Sequence, residues 1–303
     1  MTLADILTSS PQPSVTLKTT NSDVIDERSQ KGQFGWFTLG MVHIPLIYRN
    51  NEEYCSVRMA EQGALNCYLK FLNKDIDNCV NVKSSYVTSA EANLLNQINF
   101  IHCDGQFGRD HFANQLLIKV NDVKEFYDFL RICYGKLIGK EADCDKRLGF
   151  VIINKESVVP YAVSNGRKYV PLFYFEGEID QLKLKSYKLE GWDLSYLKFC
   201  CKIQGIRNQL FAHDTCSVID LADIKQYFPP ETTFDEYWPN NSGTAQLLVP
   251  SRNQLVCGEW TRRPPAPLIV PAHKQNALQK NSAYPPPKMS CRTYPTIQYM
   301  SMS

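Results

Sequence analysis

Residues 157–171 read Ser157-Val-Val-Pro-Tyr-Ala-Val-Ser-Asn-Gly-Arg-Lys-Tyr-Val-Pro171, and this stretch decides the fold. Two apolar runs flank Asn165-Gly166. Because Asn and Gly both tolerate a positive φ, the pair favours a two-residue type I′ turn, whose twist matches that of the strands it joins. The stretch therefore predicts an antiparallel hairpin in which Val163 lies opposite Lys168.

The two prolines of this hairpin limit its length. The same register places Tyr161 opposite Val170 and Pro160 opposite Pro171. Proline has no backbone N–H, so the Pro160–Pro171 pair cannot exchange ladder hydrogen bonds. We expect the two arms to diverge after Tyr161 and Val170, although the second run continues as a strand to Phe175.

Helices are interspersed with further strand-like runs. Thr88-Ser-Ala-Glu91 predicts a capping box, and Asp122-Val-Lys-Glu125 opens the longest periodic apolar pattern, which ends at Gly139. A helix from Leu194 to Gln204 is expected after an Asp193 cap. Hairpins mixed with helices indicate an α+β fold with a mixed, mainly antiparallel sheet and several packed helices. No internal repeat is visible in the sequence.

Composition divides the chain into three parts. Residues 1–33 are polar and predict a mobile leader, residues 34–239 predict one α+β globular domain, and residues 240–303 predict a disordered tail. That tail holds nine of the seventeen prolines. From Pro250 onwards it carries seven basic residues and one acidic residue, a net +6, so the preceding residues carry −4 of the total charge of +2. We expect a mildly acidic body with a basic tail.

The cellular compartment is predicted from the membrane span and secretory signal that the sequence lacks and from its cysteines. No apolar run is long enough to span a bilayer, and the N-terminus does not have the pattern of a secretory signal. The eleven cysteines are odd in number and irregularly spaced. These features predict reduced thiols in a nuclear or cytoplasmic protein that is not secreted and does not contact a membrane.

One cluster has the residue types of a zinc or thiol site. His213-Asp-Thr-Cys216 has a spacing found in zinc pairs, and Cys200 and Cys201 could add ligands. The alternative is that the cysteines are small core residues. The chain contains no C-x-x-C pair, no nucleophile elbow and no Gly-rich phosphate loop, so no cofactor is expected and a zinc- or thiol-dependent enzyme is only the third hypothesis.

Basic residues interleaved with aromatic ones suggest nucleic-acid contact as a second hypothesis. A mobile cationic segment attracts phosphate without reading sequence. The alternative is a solvated face, since Asp180, Glu190 and Asp193 lie among these residues. Two groups are candidates: Lys183, Lys185, Lys188, Lys198, Lys202 and Arg207, which we expect to form one face, and Arg262 and Arg263 of the basic tail.

Two proline clusters in the tail suggest docking to protein partners. Prolines preform an extended helix that aromatic-lined grooves recognise, and both clusters are flanked by positive charge. The alternative is a passive tail. The candidate residues are Pro264, Pro265, Pro267, Tyr284, Pro285, Pro286 and Pro287. The leading hypothesis is a non-catalytic interaction or regulatory protein, an adaptor or cofactor, with a transcriptional or other nucleic-acid-associated regulator as the alternative.

Overall fold

The structure, a computed structural model, describes residues 27–108, 115–139, 146–175, 180–206, 209–239, 245–249 and 260–264. It has the predicted α+β fold, in which helices pack on antiparallel sheets. Among the described residues, no helix is both long enough and apolar enough to cross a bilayer.

The first part of the chain builds a five-stranded antiparallel sheet. Its strands lie in the order β1-β2-β3-β6-β5. Their bounds are Phe34–Leu39 (β1), Val42–Arg49 (β2), Glu52–Ser56 (β3), Ser85–Tyr86 (β5) and Leu116–Lys119 (β6), and a short strand β4, Val82–Lys83, precedes β5. The helices are Glu27–Gln30 (α1), Val57–Ala60 (α2), Asn66–Leu69 (α3), Ser89–His102 (α4) and Val120–Ile138 (α5), with a π-helical segment Glu61–Leu65 and a 3₁₀ segment Lys74–Cys79.

The second part builds a six-stranded antiparallel sheet in the order β12-β7-β8-β9-β11-β10. The strands are Leu148–Ile153 (β7), Ser157–Ser164 (β8), Arg167–Pro171 (β9), Tyr187–Glu190 (β10), Thr215–Asp220 (β11) and Phe234–Tyr237 (β12). The helices are Asp180–Leu184 (α6), Gly191–Ile203 (α7) and Leu221–Lys225 (α8), with 3₁₀ segments Leu172–Tyr174 and Gln209–Ala212.

The two sheets repeat one topology, which the sequence does not reveal. In residues 34–138 (repeat 1) and residues 148–225 (repeat 2), three meandering strands are followed by a helical segment, a sheet strand, a helix, a sheet strand and a helix. The short β4 of repeat 1 lies outside this sheet. In both, the fifth strand inserts between the third and the fourth. Both also join strands two and three by a two-residue turn with positive φ, at Asn50-Asn51 and at Asn165-Gly166. β12 is an added edge strand in repeat 2.

The predicted hairpin is confirmed. β8 and β9 pair as Ser164↔Arg167, Val163↔Lys168 and Ala162↔Tyr169, and the ladder stops there. Val170 pairs instead with Ile219 of β11. The arms therefore diverge where the prolines exclude ladder hydrogen bonds.

Three local expectations were wrong. The strand expected to reach Phe175 ends at Pro171 and becomes the 3₁₀ turn Leu172–Tyr174. The helix expected to start after an Asp193 cap begins at Gly191, with Glu190 as its N-cap. The longest helix begins at Val120, before Asp122, and has no side-chain cap. In each case tertiary packing overrides the local signal.

The local signals at two other helix ends are confirmed. The Thr88 hydroxyl accepts from the Glu91 backbone N–H while the Glu91 carboxylate accepts from the Thr88 N–H, which completes the capping box of α4. α5 ends at Gly139, which is left-handed with φ 65°.

Two helices join the repeats. α5 packs on β1, β3 and β6, α7 packs on β7, β8, β10 and β11, and α5 and α7 pack on each other. The contact is aromatic, and Phe129 is its centre, with ring centroids 5.3 Å from Tyr196, 6.2 Å from Trp192 and 6.2 Å from Phe199. A separate apolar cluster, which includes Leu182 and Ile224, covers the other face of the second sheet beneath α6 and α8.

The expected domain boundary at residue 239 was wrong. Trp260 is 2% exposed, stacks on Phe126 at a centroid distance of 4.6 Å, and donates from Nε1 to Glu61 at 2.7 Å. Thr261–Arg262 (β13) pairs in parallel with β4, and Leu247 is buried. Residues 245–249 and 260–264 therefore belong to the globule, which by contacts extends to Pro264. The rest of the predicted tail lies outside the described residues.

The boundary expected at residue 33 also shifts. The Ser29 side chain is buried and hydrogen-bonds both the carbonyl and the N–H of Tyr48. α1 contacts β2 and α4. The globule therefore includes residues from Glu27 onwards, and residues 1–26 of the predicted leader lie outside the described residues.

Replacing Trp260 with alanine is expected to lower the free energy of unfolding by about 3–5 kcal/mol, the usual cost of removing a large buried aromatic side chain. Urea denaturation followed by circular dichroism measures this. Trp36→Ala is the matched control, because Trp36 is 45% exposed, and it should cost less than about 1 kcal/mol. Equal losses in the two variants would remove Trp260 from the core.

Candidate functional site

The outer side of α4 carries an exposed stripe without charge. Asn93, Gln97, Phe100 and Ile101 recur at helical spacing, and all four are exposed. Phe100 is 80% exposed and Ile101 is 64% exposed. Large apolar side chains that cluster at a surface mark interaction sites more often than isolated ones do.

The fold of repeat 1 holds this stripe outwards. The inner side of α4 is anchored by Leu95 and Ile98, which are 0% and 1% exposed. The helix start is fixed by an ion pair at 2.7 Å between the Arg49 guanidinium and the Glu91 carboxylate, and Glu91 is itself buried. Rotation of α4 would expose these side chains, so the stripe is a fixed feature of the surface.

Strand β1 extends the stripe to the edge of the first sheet. The Phe34 ring lies 5.0 Å from the His102 ring at the end of α4 and 6.0 Å from the Trp36 ring. β1 is the outermost strand of its sheet in the described chain. We call Phe34, Trp36, Phe100, Ile101 and His102, with the α4 stripe, the α4 surface.

Charge sets the α4 surface apart from other helices. In residues 34–42 and 89–101 the only charged side chain is Glu91, which is buried. By contrast, the outer side of α5 carries Lys124, Asp128 and Arg131. Depletion of charge around exposed aromatic groups is typical of the centre of a protein interface. The sequence shows that α4 has almost no charged residues. It does not show which side of the helix faces solvent.

The structure does not bring the zinc candidates together. Cys200 and Cys201 are buried within α7 and Cys216 is buried on β11, whereas His213 is exposed. In the described part of the chain, no group of three or more His, Cys, Asp or Glu side chains is placed to hold a metal ion. Burial raises the pKa of the Cys216 thiol to about 11, and burial also raises the pKa of the Cys200 and Cys201 thiols well above the ordinary value. A high pKa disfavours the thiolate that both zinc binding and nucleophilic attack require.

The basic candidates lie on different sides of repeat 2. Lys183 and Lys185 are on α6, Lys188 is on β10, and Lys198 and Lys202 are on α7, which packs on the opposite face of the sheet from α6. Lys185 and Lys202 pair with Asp223 and Asp75 at 3.2 Å and 3.9 Å. Arg207 lies outside the described residues. The expectation that these side chains form one face was therefore wrong.

Lys198 differs from the other basic candidates because it is buried. Its side chain is in the core, 2% exposed, and its ammonium donates to the His213 carbonyl at 2.7 Å. Burial lowers the pKa of Lys198. The carbonyls of Phe211 and His213 thus hold the ammonium inside the protein, away from phosphate groups at the surface.

The two remaining arginines lie at the end of the globule. Arg262 is on β13, beside Lys83 of β4, and pairs with Asp214 at 3.0 Å. Arg263 is exposed. Nucleic-acid contact at this edge remains a prediction.

Of the tail docking candidates, only Pro264 is described. Its carbonyl accepts a hydrogen bond from the Tyr86 hydroxyl at 3.3 Å, so it is tied to the globule. Pro265, Pro267, Tyr284, Pro285, Pro286 and Pro287 lie outside the described residues.

The described residues also line two open clefts. One, of about 440 Å³, is lined by Lys83, Lys119 and Asp122 among others. The other, of about 460 Å³, lies between the repeats beside Trp192. Charged groups at both clefts pair with protein groups, as Lys119 does with Glu52 at 2.6 Å and Arg147 with Glu125 at 3.7 Å. Neither lining includes a histidine or a cysteine.

Comparison with known proteins gives no match: no family model, no curated protein and no solved structure is similar to this chain. Inference about function therefore rests on the surface itself.

Thiol labelling tests the placement of the cysteines. At pH 8, we expect iodoacetamide to modify Cys67, which is exposed, well before Cys200, Cys201 and Cys216. A pKa of about 11 leaves only about one thiol in a thousand ionised at that pH, and raising the pH to 9 increases this fraction about tenfold. Peptide mass spectrometry before and after unfolding in guanidinium measures the labelling. Rapid labelling of Cys200 or Cys216 in the native protein would restore the thiol hypothesis.

Proposed function

We propose that the protein is a non-catalytic interaction protein, an adaptor or regulatory cofactor of the nucleus or cytoplasm, whose globule binds a protein partner through the α4 surface. One observation carries the proposal: Phe100, Ile101 and Trp36 are exposed on two elements, residues 34–42 and 89–101, that present no exposed charged side chain. Burying such a surface in a partner gains hydrophobic free energy without the cost of desolvating ionised groups.

The basic, proline-rich segment after Pro264 is the second docking element in this proposal. Its composition favours extended conformations that aromatic-lined grooves recognise. Because the first compact unit of the chain ends at Pro264, a deletion that tests this segment begins at Pro265.

Replacing Phe100 and Ile101 together with aspartate is expected to abolish capture of a partner that the unaltered protein retains. Two carboxylates in the contact would lose apolar burial and would have to be desolvated. The measurement is quantitative mass spectrometry of proteins crosslinked to the full chain, compared with the variant. Since both side chains point to solvent, the melting temperature of the variant should stay unchanged.

Two further forms complete the comparison. Leu184→Asp places one new charge on a different exposed apolar side chain, which lies in repeat 2 and is 89% exposed. This variant should retain the partner. A chain that ends at Pro264 separates partners held by the tail from those held by the α4 surface. The proposal fails if every captured protein is retained by the Phe100→Asp, Ile101→Asp variant.

A further inference from the structure

Helices at corresponding positions in the two repeats are buried to different extents. α4 follows the fourth strand of the repeat 1 sheet, and α7 follows the fourth strand of the repeat 2 sheet. α7 is buried without interruption from Leu194 to Cys201. α4 is buried on one side only. The difference follows from what lies against each helix.

α4 and α7 pack on corresponding faces of the first and the second sheet. In β1, Phe34 contacts the end of α4, and Phe37 points to the other side, where the Lys124 ammonium of α5 lies over its ring. α5 and α4 thus cover opposite faces of the first sheet. Likewise α8 and α7 cover opposite faces of the second sheet, since Ile224 and Leu197 belong to separate apolar clusters. Helix α5 therefore corresponds to α8, and α4 corresponds to α7.

The structure already shows what covers a helix in this position. On α7 it is another helix, α5, together with the 3₁₀ segment Lys74–Cys79. α5 contributes Phe126 and Phe129 against Trp192, Tyr196 and Phe199. On α4, the helix contact comes from the four-residue α1, which also contacts β2, and it leaves Phe100 and Ile101 exposed.

We propose that the α4 surface binds an amphipathic helix of a partner protein, in the place that corresponds to that of α5 on α7. This inference rests on the proposed function and names the kind of partner. The contacting stripe of that helix is aromatic or aliphatic and carries no charge, because a charged residue there would be buried against Phe100 and Ile101 without a counter-charge.

Charge also argues against head-to-tail stacking of identical chains on the α4 surface. The helix of repeat 2 that corresponds to α5 is α8, which has five residues. Its exposed side carries Lys225, and its Asp223 pairs with Lys185. α8 thus lacks both the length and the uncharged stripe that α5 uses on α7, so head-to-tail stacking of identical chains would place charge on the α4 surface.

The probe is a synthetic peptide with the sequence of α5, Val120–Ile138, labelled with fluorescein. An isolated helix of this length is only marginally stable in water. A lactam between the Lys124 and Asp128 side chains, four residues apart, therefore fixes the helix away from its Phe126 and Phe129 stripe. Fluorescence anisotropy measures binding to the full chain.

We expect saturable binding that weakens at least about tenfold, equivalent to 1.4 kcal/mol, when the protein carries Phe100→Asp. Leu184→Asp in the protein should leave the affinity unchanged. A peptide with Phe126→Asp and Phe129→Asp should not bind. The inference is overturned if the peptide does not bind, or if it binds unaltered and Phe100→Asp proteins equally.

Analytical ultracentrifugation of the full chain tests whether a second copy of this chain, and not a different protein, covers the α4 surface. A dimer that Phe100→Asp dissociates would assign the surface to a second copy and overturn the inference.

The two proposals can fail separately. If Phe100 and Ile101 are needed to retain a partner but the peptide does not bind, the protein-binding function stands and the helical partner is wrong. If the peptide binds at Phe100 but no captured protein depends on that residue, the surface accepts a helix and the proposed function is wrong.

Discussion

The packing of α5 on α7 is the contact on which the rest of the structure depends. Phe129 lies within 6.2 Å of the rings of Trp192 and Phe199 and within 5.3 Å of Tyr196, so one side chain from repeat 1 sits among three from repeat 2. Stacked and edge-on aromatic pairs add stabilisation beyond the area they bury. Each helix also covers one face of its own sheet. Separation of the two helices would expose the aromatic outer sides of both at once, and their contact therefore joins the repeats into a single globule.

The same contact explains why one surface is left open. Two copies of a topology that packed symmetrically would bury the same face of each sheet. Here repeat 1 presents the helix after its fifth strand, and repeat 2 presents the helix after its fourth. One helix of each kind therefore remains outside. In repeat 2 the outer helix is the short α8, whose exposed side is polar and charged. In repeat 1 the outer helix is α4, which exposes Phe100 and Ile101. An exposed apolar surface on α4 follows from the unequal burial of corresponding helices in the two repeats.

Local signals predicted local structure well. The Asn165-Gly166 turn, the Thr88 capping box and the Gly139 helix end each depend on the conformations of a few adjacent residues, and each is confirmed. The fold class followed from them. The start of α7 at Gly191 was missed because packing against α5 extends the helix beyond its best capping residue.

Distant contacts could not be predicted in this way. Trp260 stands among basic and proline residues whose composition indicates a tail, yet it packs on Phe126, and only the folded chain brings the two rings together. The topological repeat is carried by connectivity and leaves no residue pattern at a fixed period. For the candidate sites, composition identified the residue types but not their exposure, so Lys198 was expected at a surface and lies in the core.

Native-state hydrogen exchange of a Phe129→Ala variant, followed by mass spectrometry, tests the central claim that the α5–α7 contact unites the two repeats. The account predicts that protection falls together in peptides from β6 and from β8, by an amount that corresponds to about 3–5 kcal/mol, because both sheets lose the same support. Loss of protection confined to repeat 1, with β8 unchanged, would show that the repeats are stable separately and would contradict the account.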